Sequence, residues 1–306
     1  MAAAVWIACL LAARATASQY ELSGRIMPAA EASVTLSGAT TPFENATLTD
    51  SRGRFRFRKL AEGTYTLAAF SPSLGEARET VEIGPGLADS RGRIEVTLHL
   101  DGTRPAGATV SAHELSIPAK ARREYDEARK KLALPDVNAA ITHLERAVEI
   151  APQYSAAWNH LGTIAYQQRR YPDAEKYFRK ALNADPQSYE ALVNLGGVLL
   201  NLGEYDEALD YNRHAVLRRP DDALANSQLG MSYLAKEKLE SAKRYLTIAK
   251  TLDPAHFSHP QLLLAEIDMR QNQPAAAASE LRDFLARHPD APEAAQVKNL
   301  LARLSR

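Results

Sequence analysis

Residues 155–188 read SAAWNHLGTIAYQQRRYPDAEKYFRKALNADPQS, a window in which Trp158, Leu161, Gly162 and Tyr166 are followed by Ala174, Phe178, Ala181 and Pro186. The apolar and small positions recur three or four residues apart, the spacing that places them on one face of a helix. Pro186 cannot continue a helical hydrogen-bond ladder, so it marks the end of the second run. The same proline returns along the chain: Pro152, Pro186, Pro220, Pro254 and Pro289 stand 34, 34, 34 and 35 residues apart. A fixed period of that length predicts stacked copies of one supersecondary unit, which act by offering an extended surface to a partner rather than by enclosing a catalytic pocket.

Aligned on the prolines, the next window carries Leu192, Leu195, Gly196, Leu199, Ala208, Ala215 and Pro220, and the third Leu229, Gly230, Tyr233, Ala242, Ala249 and Pro254. Gly162, Gly196 and Gly230, with Ala174, Ala208 and Ala242, predict close approach of the two helices in each pair, while Leu161, Leu195 and Leu229 fill the space between pairs. Asn212 and Leu246 take the place of Phe178. The flanking copies are looser. Ala140, Leu144 and Ala147 precede Pro152, and Leu264, Ala265, Ala277 and Leu281 precede Pro289 with one residue inserted. Beyond them Ala295, Val297, Leu300, Leu301 and Leu304 have the spacing of a solvating cap helix.

The order W-x-x-L-G, then an aromatic, then Ala, Phe and Pro, resembles the tetratricopeptide repeat family. That resemblance implies an all-α right-handed solenoid of about five helix pairs over 118–290, closed by a cap helix over 291–306, with a concave wall made by the first helix of each pair. On that arrangement the groove is lined by Asn159, Thr163 and Tyr166 from one pair, Asn194, Gly197 and Asn201 from the next, and Ser227, Met231 and Leu234 from the third. Such a wall suits an extended or helical peptide held by amide hydrogen bonds and a small apolar anchor. Family members that bind chaperone C-terminal carboxylates use Lys, Asn and Arg on these helices. The corresponding sites here hold Asn159, Thr163, Asn194, Leu224 and Gln228, so the basic residues of that clamp are missing.

Upstream of the repeats the pattern changes to short alternating runs broken by Gly, Pro, Asp and Ser, which predicts about six or seven strands in a two-sheet sandwich. The most regular run is TLTDSRGRFRFR over 47–58, with Leu48, Phe55 and Phe57 alternating with polar residues around an Asp-Ser-Arg-Gly turn. Phe55 and Phe57 belong to the core face, and Arg54, Arg56 and Arg58 to a solvated face. Thr49, Asp50, Gly53, Phe55, Phe57, Leu60, Gly63, Tyr65 and Leu67, with Gly24 as the early glycine, resemble the carboxypeptidase-regulatory-like domain. The resemblance implies a small non-catalytic all-β sandwich over 18–100, followed by a linker or extra strand over 101–117.

The chain has 306 residues with 37 basic and 37 acidic side chains, so no net charge steers it towards nucleic acid. Its first segment, MAAAVWIACLLAARATAS, holds an apolar run from Ala2 to Ala13 and ends in Ala15-Thr16-Ala17, the form of a signal peptide over 1–17 cleaved before Ser18. Export to the periplasm or the extracellular side is the expectation, with no transmembrane segment in the mature chain. The one cysteine, Cys9, leaves with that segment, which removes thiol nucleophiles and Cys-based metal sites. Eight histidines are scattered; His256 and His259 are read as surface or capping residues. Asp221-Asp222 is read as favouring the helix that follows. With no H-E-x-x-H, phosphate loop, dinucleotide fingerprint or G-x-S-x-G, no catalytic residue, metal or cofactor is expected. The leading expectation is an exported, non-enzymatic scaffold that holds a protein or peptide; the alternative is an adhesion or carbohydrate-binding role, with the sandwich meeting an envelope glycan and the repeats as spacer.

Overall fold

A computed structural model describes residues 19–100 and 116–304. The segment read as a signal peptide over 1–17 and most of the linker or extra strand read over 101–117 fall outside the described residues. Among those described, seven strands come first: β1 (Tyr20–Met27), β2 (Ser33–Gly38), β3 (Glu44–Leu48), β4 (Arg54–Leu60), β5 (Gly63–Ser71), β6 (Gly75–Ile83) and β7 (Arg93–His99). They form two sheets, β4-β1-β7 and β3-β2-β5-β6. The pairs are antiparallel except β1 with β7. Alternation decides which side chains meet: Leu22, Ile26, Val34, Leu36, Phe55, Phe57, Leu67 and Ile83 bury between the sheets. Gly24 is required where β1 passes under Phe55, since a Cβ there would come within 2.6 Å of the ring. Arg54, Arg56 and Arg58 lie on the wet face, paired with Asp50 and Glu21.

The pentapeptide Asp-Ser-Arg-Gly-Arg occurs twice, at 50–54 and 89–93. Each copy builds the same turn. The Asp50 carboxylate accepts the amides of Arg52 and Arg54 at 2.9 and 3.0 Å, and the Asp89 carboxylate accepts those of Arg91 and Arg93 at 2.8 and 2.9 Å. Gly53 and Gly92 both take φ of 70°, open to glycine at little cost. The two turns launch β4 and β7, which flank β1.

Eleven helices follow among the described residues: α1 (Ala119–Ala133), α2 (Val137–Ile150), α3 (Ser155–Gln167), α4 (Tyr171–Ala184), α5 (Tyr189–Leu202), α6 (Tyr205–Arg218), α7 (Ala223–Ala235), α8 (Leu239–Leu252), α9 (Pro260–Arg270), α10 (Pro274–Arg287) and α11 (Ala294–Leu304). They make five pairs and a cap, and each of the five prolines stands two residues past the second helix of its pair. Pro118 is the residue before α1 rather than its first. Ser188 and Asp222 cap α5 and α7 by accepting the amides of Ala191 and Ala225.

Within the pairs the small residues do what their size predicts. A Cβ on Gly162 would meet Phe178, on Gly196 Asn212, and on Gly230 Leu246. The carbonyl next to the helix break is also used. Pro152 accepts from the Trp158 indole at 2.8 Å, Pro220 from the Asn226 amide at 2.9 Å, and Pro254 from the Gln261 amide at 2.7 Å. Three different donors thus tie the start of a first helix to the preceding loop, so the proline carbonyls help set the angle between successive pairs. The cap helix lays Val297, Leu300 and Leu301 on Ala265, Leu281 and Phe284.

Candidate functional site

The sandwich does not hang free of the solenoid. It is seated at two ends. At the first end Glu44, the first residue of β3, reaches α1 and α3: its Oε1 accepts from Arg129 Nε at 2.6 Å and its Oε2 from His160 Nε2 at 2.9 Å. The other nitrogen of that ring, Nδ1, lies 2.8 Å from the Tyr125 hydroxyl. A neutral imidazole with its proton on Nε2 satisfies the whole row, with Tyr125 donating to Nδ1. Burial pushes the Glu44 carboxyl up, but His160 and Arg129 outweigh it and hold the pKa at about 2. Gln167 adds a bond from its side-chain amide to the Gly38 carbonyl at 2.9 Å.

At the second end the outer face of β6 meets the loops after α8 and α10. Asp253 Oδ2 accepts from the Thr80 amide at 3.1 Å and its hydroxyl at 2.6 Å. Asp290 accepts from the Gly86 amide at 2.7 Å, and Glu82 lies 3.0 Å from His288 Nδ1. His288 is fully buried and His256 nearly so, with the rings of His259 and His288 4.4 Å apart. Burial pushes His256 and His259 down to about 3, with the neighbouring imidazoles adding to it. This corrects the surface reading of His256 and His259. The loop between α8 and α9 is longer than the other loops between pairs and carries the residue inserted into the repeat, and its first residue, Asp253, meets β6. His259 does stand at the N-cap position of α9, but its side chain makes no capping bond.

The predicted groove residues sit beside this seam. At about 100° per residue, Tyr166, Asn159 and Thr163 form one stripe along α3, and Gln167 and His160 the adjoining stripe that the sandwich occupies. The groove amides pair laterally, Asn194 donating to Asn159 Oδ1 and Asn201 to the Tyr166 hydroxyl, each at 3.0 Å and each across one repeat. Burial raises the Tyr166 phenol. Asn159, Thr163, Tyr166, Asn194, Met231 and Leu234 remain partly exposed, and Asn201 is exposed. Two predicted lining residues are enclosed instead. Gly197 lies against Gln228 of α7, and Ser227 is fully buried with its hydroxyl 2.7 Å from that of Ser258. A glycine or serine on a first helix reads equally well as wall or as packing. The close α5–α7 approach and the long loop before α9 decide for packing.

Tyr125, Arg129, His160, Glu44, Glu82, Asp253 and His288 carry no mark of a site in the sequence. Tyr125 and His160 stand about one repeat apart, but the contacts that join the sandwich to the solenoid span 85 to 206 residues along the chain, and no period announces them. Next to the Glu44 seat a cleft of about 540 Å³ opens, lined among others by Tyr125, His160, Asn159, Tyr189, Arg218 and Arg219. Arg219 lies over the Tyr189 ring at 4.1 Å. No helix of the described residues is long and apolar enough to cross a membrane.

Comparison with known proteins matches tetratricopeptide repeat patterns at residues 125–189, 161–223, 223–256 and 262–305, together more than half of the chain. A carboxypeptidase regulatory-like domain matches residues 22–99. The cell division cycle protein 16 homolog of Homo sapiens is 32% identical over 113 residues, which is 34% of this chain and 18% of that protein. The chain thus spans under a fifth of the length of the curated relatives it matches first. Among solved structures, MamA from Desulfovibrio magneticus RS-1 superposes with a TM-score of 0.51 at 22% identity, covering 58% of this chain and 99% of that one. PilW, described as a type IV pilus biogenesis factor, gives 0.52 at 19% identity over 61% and 91%. At those identities the likeness is one of fold, and it lies with the helical part. The chain belongs to the tetratricopeptide repeat family and carries a carboxypeptidase regulatory-like domain ahead of its repeats.

Proposed function

We propose that the protein is an exported, non-enzymatic adaptor whose solenoid holds a protein or peptide partner along the first-helix wall. One observation carries the reading. The stripe Asn159, Asn194, Asn201, Met231 and Leu234 stays accessible beside the seated sandwich, and its amides stand in register across successive repeats. Amides in register suit the repeating polar groups of an extended backbone, and Met231 with Leu234 supplies an apolar anchor. Export rests on the Ala2–Ala13 apolar run and the small residues that follow it. The sandwich acts in this reading as a built-in wall of the groove.

The test is crosslinking in the native host with the wild-type chain and with Asn194→Ala and Tyr166→Ala. The expected outcome is a defined envelope protein captured by the wild type and reduced at least fivefold by either substitution. Equal capture by all three chains would remove the groove from the account.

A further inference from the structure

Glu44 is a carboxylate borne on an extended strand, and it is gripped by groups that belong wholly to the solenoid. Arg129 takes one oxygen at 2.6 Å and His160 the other at 2.9 Å, with Tyr125 fixing the imidazole from behind. The seat is therefore built on α1 and α3 and satisfied by a residue from outside them. We propose that this seat is a carboxylate-binding site of the solenoid that Glu44 fills from within the chain, and that the partner is an acidic extended peptide whose glutamate takes the place of Glu44. The proposal rests on the adaptor reading above and specifies its ligand.

Three features set the ligand chemistry. Both oxygens of the bound group are used and one faces the Arg129 guanidinium, so a carboxylate fits the pair better than an amide, which lacks the charge and would have to donate its NH2 to a His160 protonated on Nδ1. The occupant is presented by β3, an edge strand of its sheet, which selects a group on an extended backbone. The cleft that begins at Tyr125 and His160 continues to Arg218 and Arg219, so a second acidic side chain further along the same peptide meets a second cationic pair. Asp185 and Glu190 also line that cleft, Glu190 standing 3.9 Å from Arg219; they limit how many acidic residues the cleft accepts. Tyr125, Arg129 and His160 stand 34 residues before Asn159, Thr163 and Asn194, so the seat takes the helix positions of the chaperone-tail clamp one repeat earlier, with other side chains and with a strand glutamate of this chain as its occupant.

The probe is a fluorescein-labelled peptide of residues 42–49, β3 with its flanking residues, followed by anisotropy on full-length chains. Glu44→Ala is expected to bind it at least tenfold more tightly than the wild type, because the internal occupant is gone. Glu44→Gln, which keeps the side chain's size and the shape of β3, should give a smaller gain in the same direction. Arg129→Ala added to Glu44→Ala should remove the gain, and so should a peptide with its own Glu44→Gln. Equal affinity for all chains overturns the proposal, as does binding of an oligogalacturonate to Glu44→Ala in place of the peptide. If the gain is absent while partner capture still depends on Asn194 and Tyr166, the seat falls and the adaptor reading stands. If the gain is present and no partner is captured, the seat stands and the adaptor reading falls.

Discussion

The two ends of the seam between sandwich and solenoid are built on opposite principles. At the Glu44 end full charges meet at a partly open surface, the Arg129 side chain being 40% exposed. At the His288 end the groups are buried, and the carboxylates meet neutral donors or imidazoles. Solvent reaches the Arg129 side of the first end, so that ion pair is partly screened and exchanges more easily, although the Glu44 side chain itself is 13% exposed. The second end has no such relief: a buried donor that loses its acceptor keeps the full cost of dehydration. One end thus reads as a contact that can be traded for a ligand, and the other as the anchor. Asp253→Ala tests the contrast at its strongest point. It leaves both donors of Thr80 without an acceptor inside a buried contact, and we expect a loss of about 3 kcal/mol in denaturant unfolding. A loss below about 1 kcal/mol, the range of exposed contacts, would erase the difference between the ends.

Acid separates the ends next. His256 and His259 titrate at about 3 in the folded chain, against 6.5 for the ordinary imidazole. The unfolded chain therefore takes up protons first, and folding stability falls as pH drops below 6.5. The groups around these rings are His288, Arg78, Glu82 and Asp253. His259 Nδ1 is buried without a hydrogen-bond partner among the described residues, so a proton added there finds no acceptor. Asp253 and Glu79 pull the other way, since burial raises both, but only nearer the carboxylate range. Glu44, held at about 2, gives up its contribution only as pH falls from 4.5 through 2. Between pH 7 and pH 5 the two imidazoles of the anchor end respond, by about 2 kcal/mol each. Denaturant midpoints at the two pH values check this, and His256→Phe should reduce the drop. A midpoint that stays level from pH 7 to pH 5 counts against it.

How much of this could be read from the chain follows from sequence distance. The repeats were legible because each contact falls within one period: Gly162 against Phe178, Gly196 against Asn212, Gly230 against Leu246. The sandwich was legible because Phe55 and Phe57 alternate beside a turn whose Asp and Gly have no other efficient use. The second copy of that turn, Asp89 to Arg93, lay in plain view and carried the same meaning. The seam was not legible. A glutamate opening a strand and an arginine on a helix each read as solvated, and only the folded arrangement brings Glu44 to Arg129 or Glu82 to His288. Ser227 and Gly197 failed for a related reason: a small residue on a helix face serves a groove or a helix contact equally, and neighbouring loop length decides between them.

The smallest effect belongs to the open end. Arg129→Ala removes the shortest bond to Glu44, yet His160 still holds the second oxygen and water reaches the first. We expect a loss of about 1 kcal/mol or less. The same substitution should increase amide exchange in β3 while leaving β6 protected, because β6 is held independently by Asp253 and His288, and the turn after it by Asp290. Hydrogen exchange read strand by strand makes that comparison directly. If β6 opened together with β3, the seam would be one cooperative contact, and exchange of Glu44 for an incoming carboxylate would require the whole sandwich to leave. If β3 alone opens, a ligand can enter at one end while the sandwich stays anchored at the other.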